Sequence, residues 1–251
     1  MKEGVLKKNS KKVDILALHG FWGRGSQWKN LLSSFSFWAP DLFTFDSPWG
    51  PQRFQNMKDW AKSWNQWVRQ EVGVGVELWG YSLGGRLALH AFLLEPELYR
   101  SLVLLSAHPG GELDVQARKS WDEKWSQDFL QISWEELFQK WNGQNLFKHD
   151  SLPPRFFEGM SREALSQAFL KWSPRNHSFS LEDLKTFRNR IFWVCGGKDF
   201  KYKSLYQRLR AQGRVQNLCE VPTCGHRLIQ AQPQDFWAAF EVCRLEHCSV
   251  K

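Results

Sequence analysis

Gly80-Tyr81-Ser82-Leu83-Gly84-Gly85 lies between an apolar run at residues 74–79 and a helix-like stretch at residues 86–94. This order is typical of a nucleophile elbow, in which a serine sits on a sharp turn from a strand into a helix. The strained backbone of such a turn brings the residues two positions before and two positions after the serine too close for side chains. Glycine occupies both positions. A glycine-rich turn that merely contains serine is the alternative, but the flanking strand and helix favour an elbow.

The chain of 251 residues is long enough for one large domain, and no linker-like change of composition divides it. We therefore expect a single domain over residues 1–251. The charged start, residues 1–12, lacks the apolar stretch of a signal peptide. No apolar run elsewhere reaches the roughly 18 residues needed to span a bilayer. We expect a cytoplasmic protein without a membrane partner.

The formal net charge of +8 raises the question of nucleic-acid binding. The lysines and arginines are spread along the chain, however, and no nucleic-acid-binding motif is visible. We therefore expect a surface or pocket that attracts anionic small molecules, and no nucleic-acid partner.

Cysteines and histidines near the end of the chain could be interpreted as a metal cluster. These residues are Cys219, Cys224, His226, Cys243, His247 and Cys248. No C-x-x-C pair with the spacing of zinc ligands occurs among them. We expect neither a metal site nor a disulfide framework.

Apolar, strand-like runs alternate with helical segments along the chain. Strands are predicted at residues 13–18, 38–45, 74–79, 102–105, 190–195 and 215–221, and helices at 57–68, 86–94, 203–212 and about 233–246. The alternation predicts an α/β fold with a mostly parallel sheet, helices on both faces and ligands at the carboxyl ends of the strands. Residues from about 112 to 183 interrupt this pattern with polar, aromatic-rich helical segments, which predict a helical lid insertion.

The elbow predicts a triad whose members follow the chain order serine, acid, histidine, as in the α/β-hydrolase fold. Asp199 is the natural acid because it follows a strong apolar strand and the turn Gly196-Gly197, although an aspartate there could instead cap the next helix. Only His226 and His247 follow Asp199. His226 stands just beyond a strand, whereas His247 falls in the terminal helix. Ser82, Asp199 and His226 are therefore the candidate catalytic residues.

An oxyanion hole needs two N–H donors aimed at developing negative charge. The elbow supplies the amide of Leu83. The amide of Phe21, in the glycine-rich loop after His19-Gly20, is the candidate for the second donor. We expect His19 to shape this loop rather than to act as a catalyst.

More specific motifs accompany the elbow. They are His19-Gly20-Phe21, Arg86 directly after the elbow, His108-Pro109-Gly110, Ala117-Arg118 with Trp121-Asp122, Cys195-Gly196-Gly197-Lys198-Asp199, and Gly225-His226. With them, most of the chain resembles the 2-succinyl-6-hydroxy-2,4-cyclohexadiene-1-carboxylate synthases of menaquinone (vitamin K2) biosynthesis, a family of the α/β-hydrolase superfamily. The arginine after the elbow, the His-Pro-Gly loop and the basic helix behind it are the pieces more specific to that family.

The resemblance implies functions for several residues. It gives the same triad, substrate-binding arginines at Arg86 and Arg118, a tyrosine beside the nucleophile at Tyr81 and a lid tryptophan at Trp141. Guanidinium groups suit a substrate with several carboxylates, because they offer paired hydrogen bonds. Arg86 could instead be a solvated helix residue, and Arg118 could be half of a surface ion pair.

The activity that the resemblance implies is a carbon–oxygen lyase reaction. A base removes the proton beside a succinyl ketone, the oxyanion hole holds the resulting oxygen, and pyruvate leaves without an external cofactor. Three features depart from the family. Pro48-Trp49-Gly50-Pro51 replaces its Pro-Gly-His-Gly loop, a further lid arginine has no clear counterpart among Arg155, Arg162 and Arg175, and a glutamine often found near the end of the lid is replaced around His177.

Two other functions remain open at this point. A serine carboxylesterase or thioesterase would use the same elbow to form an acyl-enzyme on a small acyl substrate. A binding protein without catalysis could also be built on this scaffold, because fold alone does not give function. The intact order of serine, aspartate and histidine argues against the binding protein, and the two arginines argue against an apolar ester.

Overall fold

A computed structural model describes residues 13–111, 113–155 and 157–248. The charged start and the side chains of His247 and Cys248 lie outside what it describes. The strands are β1 (Ile15–Leu18), β2 (Phe37–Trp38), β3 (Val76–Tyr81), β4 (Tyr99–Leu105), β5 (Ile191–Gly196) and β6 (Asn217–Val221). The helices are α1 (Lys29–Leu32), α2 (Met57–Trp67), α3 (Leu83–Leu94), α4 (Val115–Gln131), α5 (Trp134–Asn142), α6 (Arg162–Lys171), α7 (Asp183–Thr186), α8 (Phe200–Ala211) and α9 (Pro233–Cys248). Within these residues, no helix combines the length and apolarity needed to cross a bilayer.

The strands form one sheet in the order β2-β1-β3-β4-β5-β6, and each neighbouring pair is parallel. Successive residues of β1 face opposite sides: Leu16 and Leu18 join one core, and Ile15 and Ala17 join the other. Helices α2, α3 and α8 pack on the first side, while α1 and α9 pack on the second. The prediction of a parallel sheet covered on both faces is confirmed.

The order of the strands places the loops after β1 and β3 side by side. From β1 the chain runs to β2 on one side, and then returns to β3 on the other side of β1. Leu18 is paired with Gly80 at the ends of the two strands. Ligand crevices of open parallel sheets form at such a switch point, at the carboxyl ends of the strands.

Helix α2, predicted at residues 57–68, places tryptophans in the core. Trp60 and Trp64 are fully buried, and their rings stack with centroids 4.9 Å apart. The indole N–H of Trp60 donates to the carbonyl of Trp49, 3.1 Å away. The altered loop at residues 48–51 is thus anchored in this aromatic cluster.

The prediction of a strand over residues 38–45 is wrong in extent, because only Phe37–Trp38 pairs with the sheet. Pro40 lacks the N–H that would continue the ladder. Asp41 then accepts a hydrogen bond from the amide of Gly25 at 2.7 Å, and the amide of Leu42 donates to the His19 ring. These contacts turn the chain away from the sheet and toward the loop after β1.

Helices α4 to α7 lie between β4 and β5, and we call them the inserted segment. Helices α4 and α6 pack together, with the hydroxyl oxygens of Ser126 and Ser166 at 2.7 Å. Trp141 and Phe169 of this segment contact the ring of Phe21, with centroids 4.7 and 4.6 Å away. The inserted segment therefore covers the loop after β1.

Candidate active site

Ser82 occupies a strained turn between β3 and α3, with φ of 50° and ψ of −108°. A non-glycine residue rarely adopts positive φ, and such strain is concentrated at functional sites. A Cβ on Gly80 would lie 2.5 Å from the Cα of Gly85, and one on Gly84 would lie 2.3 Å from the carbonyl oxygen of Leu18. The two glycines of the motif are therefore required by close backbone contacts.

Ser82, His226 and Asp199 form a continuous hydrogen-bonded chain. The His226 Nε2 lies 3.2 Å from the Ser82 Oγ, and the His226 Nδ1 lies 2.7 Å from the Asp199 Oδ2. An ionised carboxylate only accepts, so Nδ1–H donates to Asp199 and Nε2 is left to accept from the serine hydroxyl. This is the arrangement in which an imidazole can take a proton from serine.

Asp199 both holds His226 and caps the following helix. Its Oδ1 accepts from the amide of Tyr202 at 3.3 Å, at the start of α8. Its Oδ2 also accepts from the hydroxyl of Ser106, at 2.9 Å. The helix cap and the partner of His226, which the sequence presents as alternatives, are therefore compatible in one carboxylate. Sequence reasoning missed Ser106, because nothing in the sequence marks this residue after β4 as a partner of Asp199.

Leu83 and Phe21, the candidate oxyanion donors, lie on adjacent loops. Leu83 is the first residue of α3, where amides have no carbonyl partner within the helix. Phe21 follows β1, the strand beside β3. Both residues line the same cavity as Ser82 and His226.

His19 has a structural function in the loop after β1. Its Nδ1 lies 2.8 Å from the carbonyl oxygen of Gly20, and its Nε2 accepts from the amide of Leu42 at 2.9 Å. Complete burial lowers the pKa of His19 to about 4, so the ring is neutral near pH 7. The neutral ring fixes the loop that carries Phe21.

A cavity of about 970 Å³ opens in front of Ser82 and is lined by more basic than acidic groups. Among the described residues, its basic side chains are Arg86, Arg118, Lys148, Lys198 and Lys201. Its carboxylates are Asp114 and Asp199, of which Asp199 is engaged by His226 and Ser106. The cavity is therefore suited to an anionic ligand.

Arg86 lies at the inner wall of this cavity and is only 8% exposed. Its Nε donates to the carbonyl of Trp172 at 3.0 Å, which fixes the direction of the guanidinium group. Burial, together with the nearby Arg118 cation, lowers the pKa of Arg86 to about 10. A buried and oriented cation of this kind differs from a solvated helix residue.

Arg118 is held in place by Asp122, which is completely buried. The two side chains pair over 2.8 and 2.9 Å, and Arg118 also covers the ring of Trp121. The second oxygen of Asp122 accepts from Ser173 at 2.6 Å and from Arg175 at 3.3 Å. Arg175 therefore supports the Arg118 site through a shared carboxylate.

Arg155 and Arg162 make contacts within the inserted segment. Arg162, at the start of α6, donates to the carbonyls of Phe129 and Ile132 at the end of α4, each at 2.8 Å. Arg155, in the stretch between α5 and α6, lies over the ring of Phe138 of α5, 5.2 Å from its centroid. Both side chains therefore contact neighbouring parts of the inserted segment.

Lys201 is a lining residue that sequence reasoning missed. It lies in the first turn of α8, two residues after Asp199, and reaches the cavity that Arg86 and Arg118 line. Desolvation and the positive charges of Arg118 and Arg86 lower its pKa, while Asp199 opposes this shift. The shift indicates that cations converge on one region of the cavity.

Trp141 and Tyr81 occupy different positions around Ser82. Trp141 lines the large cavity and a small chamber of about 60 Å³ behind it. Tyr81 lines only the small chamber, where its ring centroid lies 5.6 Å from that of His226. A Cβ on Gly20 would come within 2.7 Å of the Tyr81 ring, so this glycine makes room for the tyrosine.

The sequence of this chain is similar to those of known proteins. Residues 15–239 match the alpha/beta hydrolase family. The 2-succinyl-6-hydroxy-2,4-cyclohexadiene-1-carboxylate synthase of Pectobacterium atrosepticum is 30% identical over 234 residues, covering 87% of this chain and 88% of the relative. The synthase of the same name from Klebsiella pneumoniae subsp. pneumoniae is 27% identical over 220 residues, covering 78% and 82%.

A solved structure, MenH from S. aureus, superimposes with a TM-score of 0.80 and covers 96% of both chains. Its sequence identity of 16% means that this likeness speaks for the fold alone.

Proposed function

Because the chain belongs to the alpha/beta hydrolase family and, within it, to the 2-succinyl-6-hydroxy-2,4-cyclohexadiene-1-carboxylate synthases, we propose that it acts in menaquinone biosynthesis. It forms 2-succinyl-6-hydroxy-2,4-cyclohexadiene-1-carboxylate by eliminating pyruvate. The substrate is 2-succinyl-5-enolpyruvyl-6-hydroxy-3-cyclohexene-1-carboxylate. The observation that carries the proposal is the convergence of Arg86, Arg118 and Lys201 on the cavity in front of Ser82.

The Ser82–His226 pair acts as the base. The pair removes the proton beside the succinyl ketone, and the electron pair of that C–H bond moves toward the ketone oxygen, which becomes an oxyanion. The amides of Phe21 and Leu83 donate to this oxygen. When the oxyanion collapses, a C=C bond forms between C2 and C3 of the ring, the existing C3=C4 bond shifts to C4=C5, and the C5–O bond to the enolpyruvyl group breaks. The departing enolate takes the proton back from His226 and becomes pyruvate, so neither water nor an external cofactor is consumed.

The cations bind the carboxylates of the substrate. Arg86 and Arg118 are oriented before any ligand arrives, through Trp172 and Asp122 respectively. Such preorganised guanidinium groups form paired hydrogen bonds with carboxylates. Trp141 packs over the ring of Phe21 and closes the cavity above the oxyanion hole. Tyr81 supports the site from behind, next to His226.

The inserted segment forms a lid on a single domain. Its helices contribute Arg118, Trp121, Trp141 and Phe169 to the cavity, and its contacts with Phe21 close the site from above. We place the reaction in the cytoplasm, as expected for a small-molecule biosynthetic enzyme.

A serine carboxylesterase or thioesterase is the second candidate, and the hydrogen-bonded serine is what favours it. The two candidates differ in the state of Ser82 during turnover. The deciding experiment is intact-protein mass spectrometry on enzyme quenched during the reaction. Elimination leaves the protein mass unchanged while pyruvate accumulates. A mass increase equal to an acyl group, lost in Ser82→Ala, would instead establish the hydrolase.

A further inference from the structure

Asp150, which lies in the inserted segment, accepts hydrogen bonds from two consecutive backbone amides at the candidate catalytic histidine. Its Oδ2 lies 3.1 Å from the amide nitrogen of His226, and its Oδ1 lies 3.1 Å from that of Arg227. Both amides belong to the loop that follows β6. One carboxylate therefore fixes the backbone on both sides of the His226 side chain.

The loop is built to let this carboxylate approach. A Cβ on Gly225 would lie 2.4 Å from the Oδ1 of Asp150, so a side chain there would displace the carboxylate from its bonds to the two amides. The position of Asp150 therefore explains why the residue before His226 is a glycine. It leaves room for a carboxylate that comes from a segment 76 residues earlier.

Arg227, in the loop after β6, donates hydrogen bonds to the inserted segment. Its guanidinium group donates to the carbonyl of Ser151 at 2.9 Å and to the side-chain oxygen of Asn142 at the end of α5. It also covers the ring of Phe147, 4.0 Å from the centroid. The Phe147 ring in turn lies 5.6 Å from the His226 ring. The histidine loop and the inserted segment therefore hold each other through reciprocal contacts.

The charge of Asp150 interacts with the charges around it. Burial raises the pKa of the Asp150 carboxyl, and the two backbone donors and the positive charges of His226 and Arg227 oppose that shift. The other groups that face His226 are Ser82 and Asp199, which bond to it, and Tyr81 and Tyr202, whose rings lie beside it.

We propose that Asp150 is a positioning residue that holds His226 in line with Ser82 when the inserted segment is seated over the cavity. The proposal rests on the base function proposed for His226. The proposal couples the inserted segment to the proposed base. When the inserted segment moves away from the cavity, the loop after β6 loses the hydrogen bonds from its His226 and Arg227 amides to Asp150.

The test uses Asp150→Asn, which removes the charge and keeps one acceptor oxygen, and Asp150→Ala, which removes both acceptors. Asp128→Asn is the matched control, because Asp128 lies in the same inserted segment and pairs with Lys140. Pyruvate release is measured over a range of substrate concentrations for each variant, which separates kcat from KM. In parallel, NMR follows the exchange with water of the His226 Nδ1–H proton that bonds to Asp199.

We expect Asp150→Ala to lower kcat by roughly 10-fold or more while KM stays within about 3-fold, because a small displacement of a base is costly. Asp150→Asn should lower kcat less than Asp150→Ala does, because one acceptor oxygen for the backbone amides remains. Exchange of the Nδ1–H proton should become faster in both variants. Asp128→Asn should behave as the parent in kcat, KM and proton exchange.

Parent-like kcat and proton exchange in both Asp150 variants would overturn the proposal. A lower melting temperature with kcat and proton exchange unchanged would also overturn it, by making Asp150 merely structural. If Asp150→Ala does not fold, Asp150→Asn decides the question. Absence of pyruvate release from the parent would refute the proposed function, while the NMR comparison would still report on Asp150.

Discussion

The Nδ1 of His226 lies 2.7 Å from the Oδ2 of Asp199, and both side chains are almost completely removed from solvent. Asp199 is itself fixed by Ser106 and by the first turn of α8. This bond sets the imidazole tautomer and leaves Nε2 facing Ser82. The ability of the site to remove a proton depends on this relationship.

Replacing Ser82 or His226 should abolish most turnover. We expect Ser82→Ala and His226→Ala each to lower kcat by about 10³-fold or more, as is usual for members of such triads. Steady-state kinetics together with thermal unfolding would check this. Normal turnover in a folded variant would remove that residue from the catalytic machinery.

Ser106→Ala removes one donor to Asp199 without touching His226. A net hydrogen-bond contribution of about 1 kcal/mol corresponds to roughly a 5-fold lower kcat if the bond helps orient the acid. Ser126→Ala is the matched control, because it also breaks a buried hydroxyl contact, to Ser166. Both variants should lose similar stability, but only Ser106→Ala should lose turnover. Equal kcat values for the two variants would show that Ser106 serves stability alone.

Lys201→Met should raise KM for a substrate with several carboxylates by roughly 10-fold, because one cation of the cavity is lost. Lys203→Met, two residues further along α8, is the control, since Lys203 pairs with Glu220 at 2.7 Å. Substrate titration of both variants would check the prediction. Unchanged KM in Lys201→Met would exclude Lys201 from the binding site.

The affinity for the substrate should weaken at high pH. Desolvation and the Arg118 cation lower the pKa of Lys201, so its ammonium is present below that pKa and is lost as the pH rises through it. KM should therefore rise at a lower pH than an ordinary lysine would dictate. In Lys201→Arg the guanidinium stays charged, so the rise in KM should move to higher pH. Identical pH dependence of KM in the parent and Lys201→Arg would contradict this assignment.

The features that could be predicted from the sequence are those imposed by local sterics and chain order. The glycines around Ser82 are required by contacts under 3 Å. The order of serine, acid and histidine left few choices for the partners of Ser82. Alternation of apolar strands with helices was enough for the parallel sheet, whereas Pro40 and the side-chain contacts of Asp41 ended the second strand earlier than its apolar composition indicated.

The features that could not be predicted depend on contacts between distant segments. Ser106 meets Asp199 across 93 positions, and Asp150 meets the His226 amide across 76. Neither serine nor aspartate carries a local pattern that marks such a contact. Lys201 resembles any basic residue of a helix until the fold places it beside Arg86 and Arg118.

The most direct test of the account is pyruvate release from enzymatically generated 2-succinyl-5-enolpyruvyl-6-hydroxy-3-cyclohexene-1-carboxylate, with parent protein and Ser82→Ala measured side by side. We predict rapid release by the parent and release at least about 10³-fold slower by the variant. Absence of pyruvate from folded parent protein, combined with turnover of small esters or thioesters, would contradict the lyase assignment and favour a serine hydrolase.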